Sequence, residues 1–140
     1  MSTAGYSGTP LPRKLGVREG CRLHLAGAPV GFDAVLGDLP AGVELVEPTV
    51  GTIDVAILFA LDLTTVRREL APLAASLQPA GGLWIAWPKR SSGVVTNLDE
   101  NRIRELGLGA GLVDNKVCAI DSTWSALRFV WRLRDRPSRG

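Results

Sequence analysis

The chain has 140 residues, of which 46% are hydrophobic and 21% charged, which is ordinary for one globular domain that buries a core without disulfides or a metal. No apolar run approaches the roughly 20 residues that cross a bilayer, and residues 1–12 lack the apolar stretch of a signal peptide, so we expect a soluble, cytoplasmic protein with no membrane partner. The net charge of +2 is uneven, because residues 132–140 carry four arginines against one aspartate. We interpret this end as a solvated basic tail, and nucleic acid is not an expected partner.

Four helices are predicted in chain order. Thr9 offers a cap and Pro10 suits the first position of a short helix that ends near Gly16. Apolar residues at spacings of three and four predict a second helix over residues 32–39 and a third over residues 62–77. Pro72 should kink or break the third helix near residue 71.

The fourth helix is expected to begin at Asn97, because Glu100 follows at the spacing of a capping box. Between and after these helices the sequence predicts six strands. They span residues 21–26, 43–47, 53–60, 83–87, 113–120 and 124–133.

Buried strands that alternate with helices predict a three-layer α/β fold. We expect a mostly parallel, Rossmann-like sheet of about six strands, with a C-terminal antiparallel hairpin. The link from residue 47 to residue 53 is too short for a helical crossover, so the strand at 43–47 is either antiparallel to its neighbour or, as we prefer, a short parallel edge strand. The predicted organisation is a lead-in with a short helix (1–16), one α/β domain (17–133) and a basic flexible tail (134–140).

Two segments carry a resemblance to a known fold family. Residues 53–60 read IDVAILFA, and residues 77–88 read LQPAGGLWIAWP. A strand, a helix and a following L-x-P-G-G-x-L-x-I run resemble the second half of the class I methyltransferases, and the terminal hairpin is similar too. The resemblance covers residues 53–133 and implies a methyltransferase-like fold.

The first half departs from that family's pattern. Its members carry a Gly-rich loop after the first strand, on which the nucleoside and methionine parts of S-adenosylmethionine lie. The matching residues 25–31 read LAGAPVG, so only Gly27 and Gly31 remain, with Pro29 between them. In our interpretation, residues 43–47 correspond to the strand after the one that ends in the ribose-binding carboxylate. The resemblance therefore implies the fold, and we expect no bound cofactor.

The whole chain also resembles a bacterial domain-of-unknown-function family. The residues that carry this likeness are GYSGTPLPRKLG near the start, GLVDNKVCAID at 111–121 and WSALRFV at 124–130. This resemblance implies a bacterial protein and supplies no activity.

The first candidate site lies where the carboxyl ends of parallel strands meet, which is where open α/β sheets bind ligands. Its candidate ligand-binding residues are Tyr6, Ser7, Gly8, Thr9, Gly27, Pro29, Asp62, Trp87 and Lys89. Several of them have a structural alternative: Asp62 as a helix cap, Lys89 as a solvated side chain, Trp87 as core packing, and residues 6–9 as a capped loop.

The second candidate cluster is formed by Lys116, Asp121, Trp124 and Arg128 around the hairpin, where an ion pair of Asp121 with Lys116 or Arg128 is plausible. The structural alternative is an ion pair and a turn at an edge hairpin.

No metal site is expected, because two cysteines and one histidine do not supply a ligand set. We interpret Cys21 and Cys118 as reduced core thiols and His24 as a packed, hydrogen-bonded residue. No catalytic motif is present, and the catalytic residues are unassigned.

The leading functional hypothesis is a noncatalytic binding or regulatory module on a degenerate methyltransferase-like scaffold. One alternative is an S-adenosylmethionine-dependent methyltransferase with a reduced cofactor loop that uses Gly27 and Asp62. The other is a small-anion or nucleotide-binding protein that uses residues 6–9 and Lys89. The sequence assigns no particular ligand, protein partner or oligomeric state.

Overall fold

The computed structural model describes residues 9–132, which form a central six-stranded sheet with helices on both faces. The strands are β1 (Arg22–Ala26), β2 (Glu44–Leu45), β3 (Ile53–Phe59), β4 (Leu77–Pro88), β5 (Leu112–Ala119) and β6 (Trp124–Trp131). The helices are α1 (Leu11–Lys14), α2 (Phe32–Leu36), α3 (Leu63–Ser76) and α4 (Glu100–Gly109), with a 3-10 turn at Arg90–Ser92. None of the helices in this part of the chain has the length and apolar character needed to cross a membrane.

The strand order is β2-β1-β3-β4-β6-β5. The pairs β1–β2, β1–β3 and β3–β4 are parallel, whereas β6 is antiparallel to both of its neighbours. The predicted α/β class, the mostly parallel sheet and the C-terminal hairpin are therefore confirmed. Of the two orientations left open for residues 43–47, the parallel edge strand is the one observed.

The two faces of the sheet bury different helices. On one face, α3 and α4 pack on side chains such as Leu58, Ile85 and Phe129. On the other face, α1 and α2 cover Phe59 and Trp84. Because β3 and β4 are buried on both sides, their sequences are continuous apolar runs instead of alternating ones.

Helix α3 does not break at its proline. It runs without interruption from Leu63 to Ser76 with Pro72 inside it, so a break near residue 71 is a wrong prediction. Pro72 is exposed, so the carbonyl group that loses its partner lies where water can reach it. Leu73 and Ala74 are buried in the core and hold the following turn in place.

Two further differences concern element boundaries. Strand β4 begins at Leu77, six residues before the predicted start at residue 83, and the Gly-rich stretch at 78–82 contains a register irregularity against β3. Helix α4 begins after Asp99, which caps it by accepting a hydrogen bond from Arg102 N at 2.9 Å. Asn97 instead accepts a hydrogen bond from Leu63 N, at the start of α3.

Candidate binding site at the carboxyl ends of the strands

In the loop between β1 and α2, both positions with a positive φ are occupied by glycine. Gly27 has a φ of +70°, and a Cβ atom there would lie 2.9 Å from the Phe59 carbonyl oxygen at the end of β3. Gly31, the N-cap of α2, has a φ of +86°, and nothing lies within 4 Å of the Cβ position. Pro29 has no positive φ, and its carbonyl group accepts a hydrogen bond from Phe32 N at 3.0 Å.

Strand β2 and the residue after it bond to the middle of β1. Val46 N donates to the Leu23 carbonyl group of β1 at 2.9 Å. His24 Nδ1 lies 2.9 Å from the Val46 carbonyl oxygen, which confirms the interpretation of His24 as a hydrogen-bonded structural residue. Glu47 follows directly and is exposed. Because β2 is the strand that follows the loop and α2 and it pairs with β1, residues 43–47 lie directly beside β1. Our interpretation of them as a strand one position later in the fold is therefore wrong.

Asp62 stands at the end of β3 and caps α3. Its Oδ1 atom accepts a hydrogen bond from Thr65 N at 2.8 Å, so the structural alternative for this residue is confirmed. The hydrogen bonds from Thr65 and the nearby Arg68 charge lower the pKa of Asp62 below its usual value. Asp62 remains exposed beside the loop, and one of its two carboxylate oxygens accepts the hydrogen bond from the helix.

We expect the stabilisation by Asp62 to depend on pH in a defined direction. Because its pKa is lowered in the folded state, the carboxylate contributes stability above the unfolded pKa of about 4, and this is lost as the pH falls through the lower folded value. In thermal denaturation, Asp62→Asn should lower Tm at neutral pH. At a pH low enough to protonate Asp62 in the wild type, both proteins carry a neutral side chain, and their Tm values should be equal. A Tm difference that stays constant down to pH 2 would contradict this assignment.

A cavity of about 710 Å³ opens at the same edge of the sheet, on the α1 and α2 side. Its polar lining comes from Thr9, Lys14, Lys89, Asp121 and Ser122, and Val35 of α2 borders it. The structure therefore brings together two residues of the first candidate site, Thr9 and Lys89. Tyr6, Ser7 and Gly8 lie outside the described residues.

Trp87 belongs to the opposite face. It is 6% exposed and packs within the core cluster under α3 and α4. Lys89, two residues further along the chain, lines the cavity on the α1 side. The structure thus separates Trp87 from Thr9 and Lys89, which line the cavity on the other face, and places it in the packing role named as its alternative.

The second candidate cluster is divided between the middle of the hairpin and its turn. Lys116 pairs with Arg128 across β5 and β6, far along the strands from the turn. Asp121 Oδ1 accepts hydrogen bonds from Thr123 N and Trp124 N, both at 2.8 Å, and so closes the turn. Within residues 9–132, no ion pair joins Asp121 to either cation.

Both cysteines are buried and unpaired, and burial raises the pKa of the Cys21 and Cys118 thiols. They therefore stay protonated at neutral pH, whereas a metal ligand must be a thiolate. Over the described part of the chain, no group of three acidic, histidine or cysteine side chains is placed to hold a metal ion.

Several solved structures similar to this chain are methyltransferases. A putative type 11 methyltransferase from Sulfolobus solfataricus is 12% identical, with a TM-score of 0.61, over 93% of this chain and 92% of that chain. The 1,6-didemethyltoxoflavin-N1-methyltransferase of Burkholderia thailandensis, with bound 1,6-didemethyltoxoflavin and S-adenosylhomocysteine, is 16% identical, with a TM-score of 0.59, over 85% and 73%. A SAM dependent methyltransferase from Aquifex aeolicus is 13% identical, with a TM-score of 0.57, over 84% and 85%.

At these identities the likeness shows the fold, which is the Rossmann-like fold of the methyltransferases. No family model and no curated protein sequence matches the chain. Membership in the bacterial domain-of-unknown-function family therefore stays a prediction.

Sequence reasoning did not single out Glu47, the exposed residue that follows the end of β2. Glu47 stands twenty residues after Gly27, which is the spacing at which doubly wound folds place a ribose-binding carboxylate, about 20 residues beyond the glycine turn. That spacing was available in the sequence. The spacing indicates Glu47 as a candidate only when β2 is known to pair with β1.

Proposed function

We propose that this chain is an S-adenosylmethionine-dependent methyltransferase with a reduced cofactor loop. The proposal rests on the position of Glu47. This residue follows the strand that pairs with β1, and its spacing from Gly27 is that of a ribose-binding carboxylate. The likeness of the fold to methyltransferases favours this function over a noncatalytic module.

The residues of the loop fit an adenosyl ligand. Gly27 and Gly31 are the positions with positive φ in the loop, so the proline between them occupies no conformation that needs glycine. The open space over Gly31 leaves the backbone bare, which a closely approaching ligand requires. Val30 and Leu61 present exposed apolar side chains at the ends of β1 and β3, and such surface suits the faces of an adenine ring.

We assign these residues binding roles toward the cofactor. The Glu47 carboxylate would accept hydrogen bonds from the ribose hydroxyl groups, and the 27–31 loop would lie against the nucleoside and methionine parts. When bound, S-adenosylmethionine supplies a sulfonium methyl group for transfer. Asp62 keeps the end of β3 fixed through its cap of α3, so that the loop and the strand ends form a rigid edge.

The methyl acceptor would occupy the neighbouring cavity. Its volume of about 710 Å³ falls in the range of sites for small molecules, roughly 300–1,000 Å³. Helix α2 connects the two sites, since Gly31 of the loop is its N-cap and Val35 of the helix borders the cavity. Lys14 and Lys89 line it, which favours a small acceptor that carries polar or anionic groups.

The proposal is tested by calorimetric titration with S-adenosylhomocysteine. We expect binding, and Glu47→Gln should weaken it about tenfold or more, because a hydrogen bond to a charged group contributes about 1.5–3 kcal/mol. Glu44→Gln is the matched control, since Glu44 is an exposed glutamate at the other end of the same short strand and should leave the affinity unchanged. No binding at millimolar ligand, or equal losses in both variants, would overturn the assignment.

A binding module without catalysis is the second candidate. It is favoured by the engagement of the acid–base groups at this edge: His24 contacts the Val46 carbonyl group, and Asp62 and Asp121 accept backbone N–H groups. Incubation with methyl-labelled S-adenosylmethionine and a small-molecule extract separates the two functions. Label in an acceptor supports the methyltransferase, and tight S-adenosylhomocysteine binding without any transfer supports the module.

A further inference from the structure

A second cavity of about 670 Å³ lies away from the strand ends described above. It is bounded by the segment from α1 to β1, the first part of β3 and β4, and the middle of β5 and β6. Four cations line it, and we call it the basic cavity. They are Lys14, Arg18, Lys116 and Arg128.

Arg128 is the central cation of the basic cavity. It is partly buried, and its guanidinium group lies over Gly82 of β4, where a Cβ atom would be 2.5 Å from Arg128 Nε. The absence of a side chain at position 82 thus makes room for this charge. Within residues 9–132, no carboxylate forms an ion pair with Arg128.

Without a counter-charge, the position of the partly buried Arg128 near Arg18 is electrostatically unfavourable. Burial lowers the pKa of Arg128, and the nearby positive charge of Arg18 lowers it further. A group that binds both cations would relieve this repulsion. It would also offset the desolvation of Arg128.

The acidic residues of the lining do not supply that counter-charge. Asp54 accepts hydrogen bonds from Arg22 N at 2.8 Å and from the Gln78 side chain at 3.2 Å, both neutral donors. Glu19 is exposed and, in the described part of the chain, forms no ion pair. Four cations and two carboxylates leave the lining with a formal charge of +2.

We propose that the basic cavity binds a phosphate group, either as free phosphate or as a phosphate monoester. A phosphate dianion matches the residual charge of the lining, and guanidinium groups pair with phosphate oxygens through two parallel hydrogen bonds. Arg18 and Arg128 would hold the phosphate oxygens, with Lys116 beside them. This site is separate from the cofactor site and does not rest on the methyltransferase assignment.

The test is calorimetric titration of the full chain with inorganic phosphate and, in a second arm, with adenosine monophosphate, in chloride buffer at constant ionic strength. We expect phosphate to bind, and Arg128→Gln should weaken its binding about tenfold or more. The reason is that the variant removes one charged hydrogen-bond donor, which contributes about 1.5–3 kcal/mol. Tighter binding of adenosine monophosphate indicates a monoester, and equal affinities indicate the free ion. Either result supports the site.

Two more variants distinguish a built site from general electrostatics. Gly82→Ala keeps every charge but displaces the guanidinium group of Arg128, and it should weaken phosphate binding as well. Arg67→Gln removes an exposed charge on α3, on the other side of the sheet, and should change nothing. The proposal is overturned by absence of phosphate binding at tens of millimolar, by unchanged affinity in Arg128→Gln, or by an equal loss in Arg67→Gln.

Discussion

Trp84→Ala is expected to lower the free energy of unfolding by about 3–5 kcal/mol, the usual range for removing a large aromatic side chain from a core. Trp84 is 1% exposed and lies at the centre of the face covered by α1 and α2. Its Nε1 atom donates a hydrogen bond to the Leu15 carbonyl group at 2.8 Å. The side chain therefore joins the lead-in segment to the sheet through both packing and a buried hydrogen bond. Urea denaturation followed by far-ultraviolet circular dichroism measures the change.

Two conservative variants separate these contributions. Trp84→Phe keeps most of the packing but leaves the buried Leu15 carbonyl group without its donor, so we expect a loss of about 1–3 kcal/mol. Trp131→Phe is the matched control, because Trp131 is only partly buried and its bond to the Ala74 carbonyl group is longer, at 3.2 Å. Equal losses of unfolding free energy in the two phenylalanine variants would show that the hydrogen bond to Leu15 contributes no more to stability than the longer one to Ala74.

Gly107→Ala is expected to destabilise the protein by about 1–3 kcal/mol, although alanine is the better helix former by about 1 kcal/mol. Gly107 is buried in α4, and a Cβ atom there would overlap three ring atoms of Phe129, including Cζ at 2.6 Å. Phe129 is fully buried, so its ring has no free space into which it can move. The steric cost therefore exceeds the gain in helix propensity.

The same helix provides the control. Gly109 has no atom within 4 Å of its Cβ position and no positive φ, so Gly109→Ala should be neutral or stabilising. Phe129→Leu removes part of the ring that alanine would meet, so the loss from Gly107→Ala should shrink in that background. A stabilised Gly107→Ala variant, or no coupling with position 129, would contradict the packing of α4 against β6.

Some features could be predicted from the sequence because their signals are local. The apolar runs at 53–60 and 83–87 identify strands buried on both faces, since no other arrangement of short strands removes all of those side chains from water. The cap, named as the alternative role of Asp62, is a local signal because its partner, Thr65 N, lies three residues away. The short final turn was enough to predict the antiparallel hairpin.

Other features depend on residues that are distant in the chain. Asn97 has the spacing of a cap for α4, yet it bonds to Leu63 N, 34 residues earlier, because Asp99 satisfies the start of α4. Arg18 lies outside every sequence motif, and the packing of α1 against the sheet places it in the same cavity as Arg128.

The amino-acid sequence by itself determined the fold class, because hydrophobic periodicity and caps act within a few residues of one another. The tertiary structure alone decided which strand lies beside β1, and therefore where Glu47 stands relative to the loop at 27–31. It also decided that Arg128 lies across Gly82. Strand order and cavity charge arise from pairing between distant segments, and no local pattern in the chain encodes that pairing.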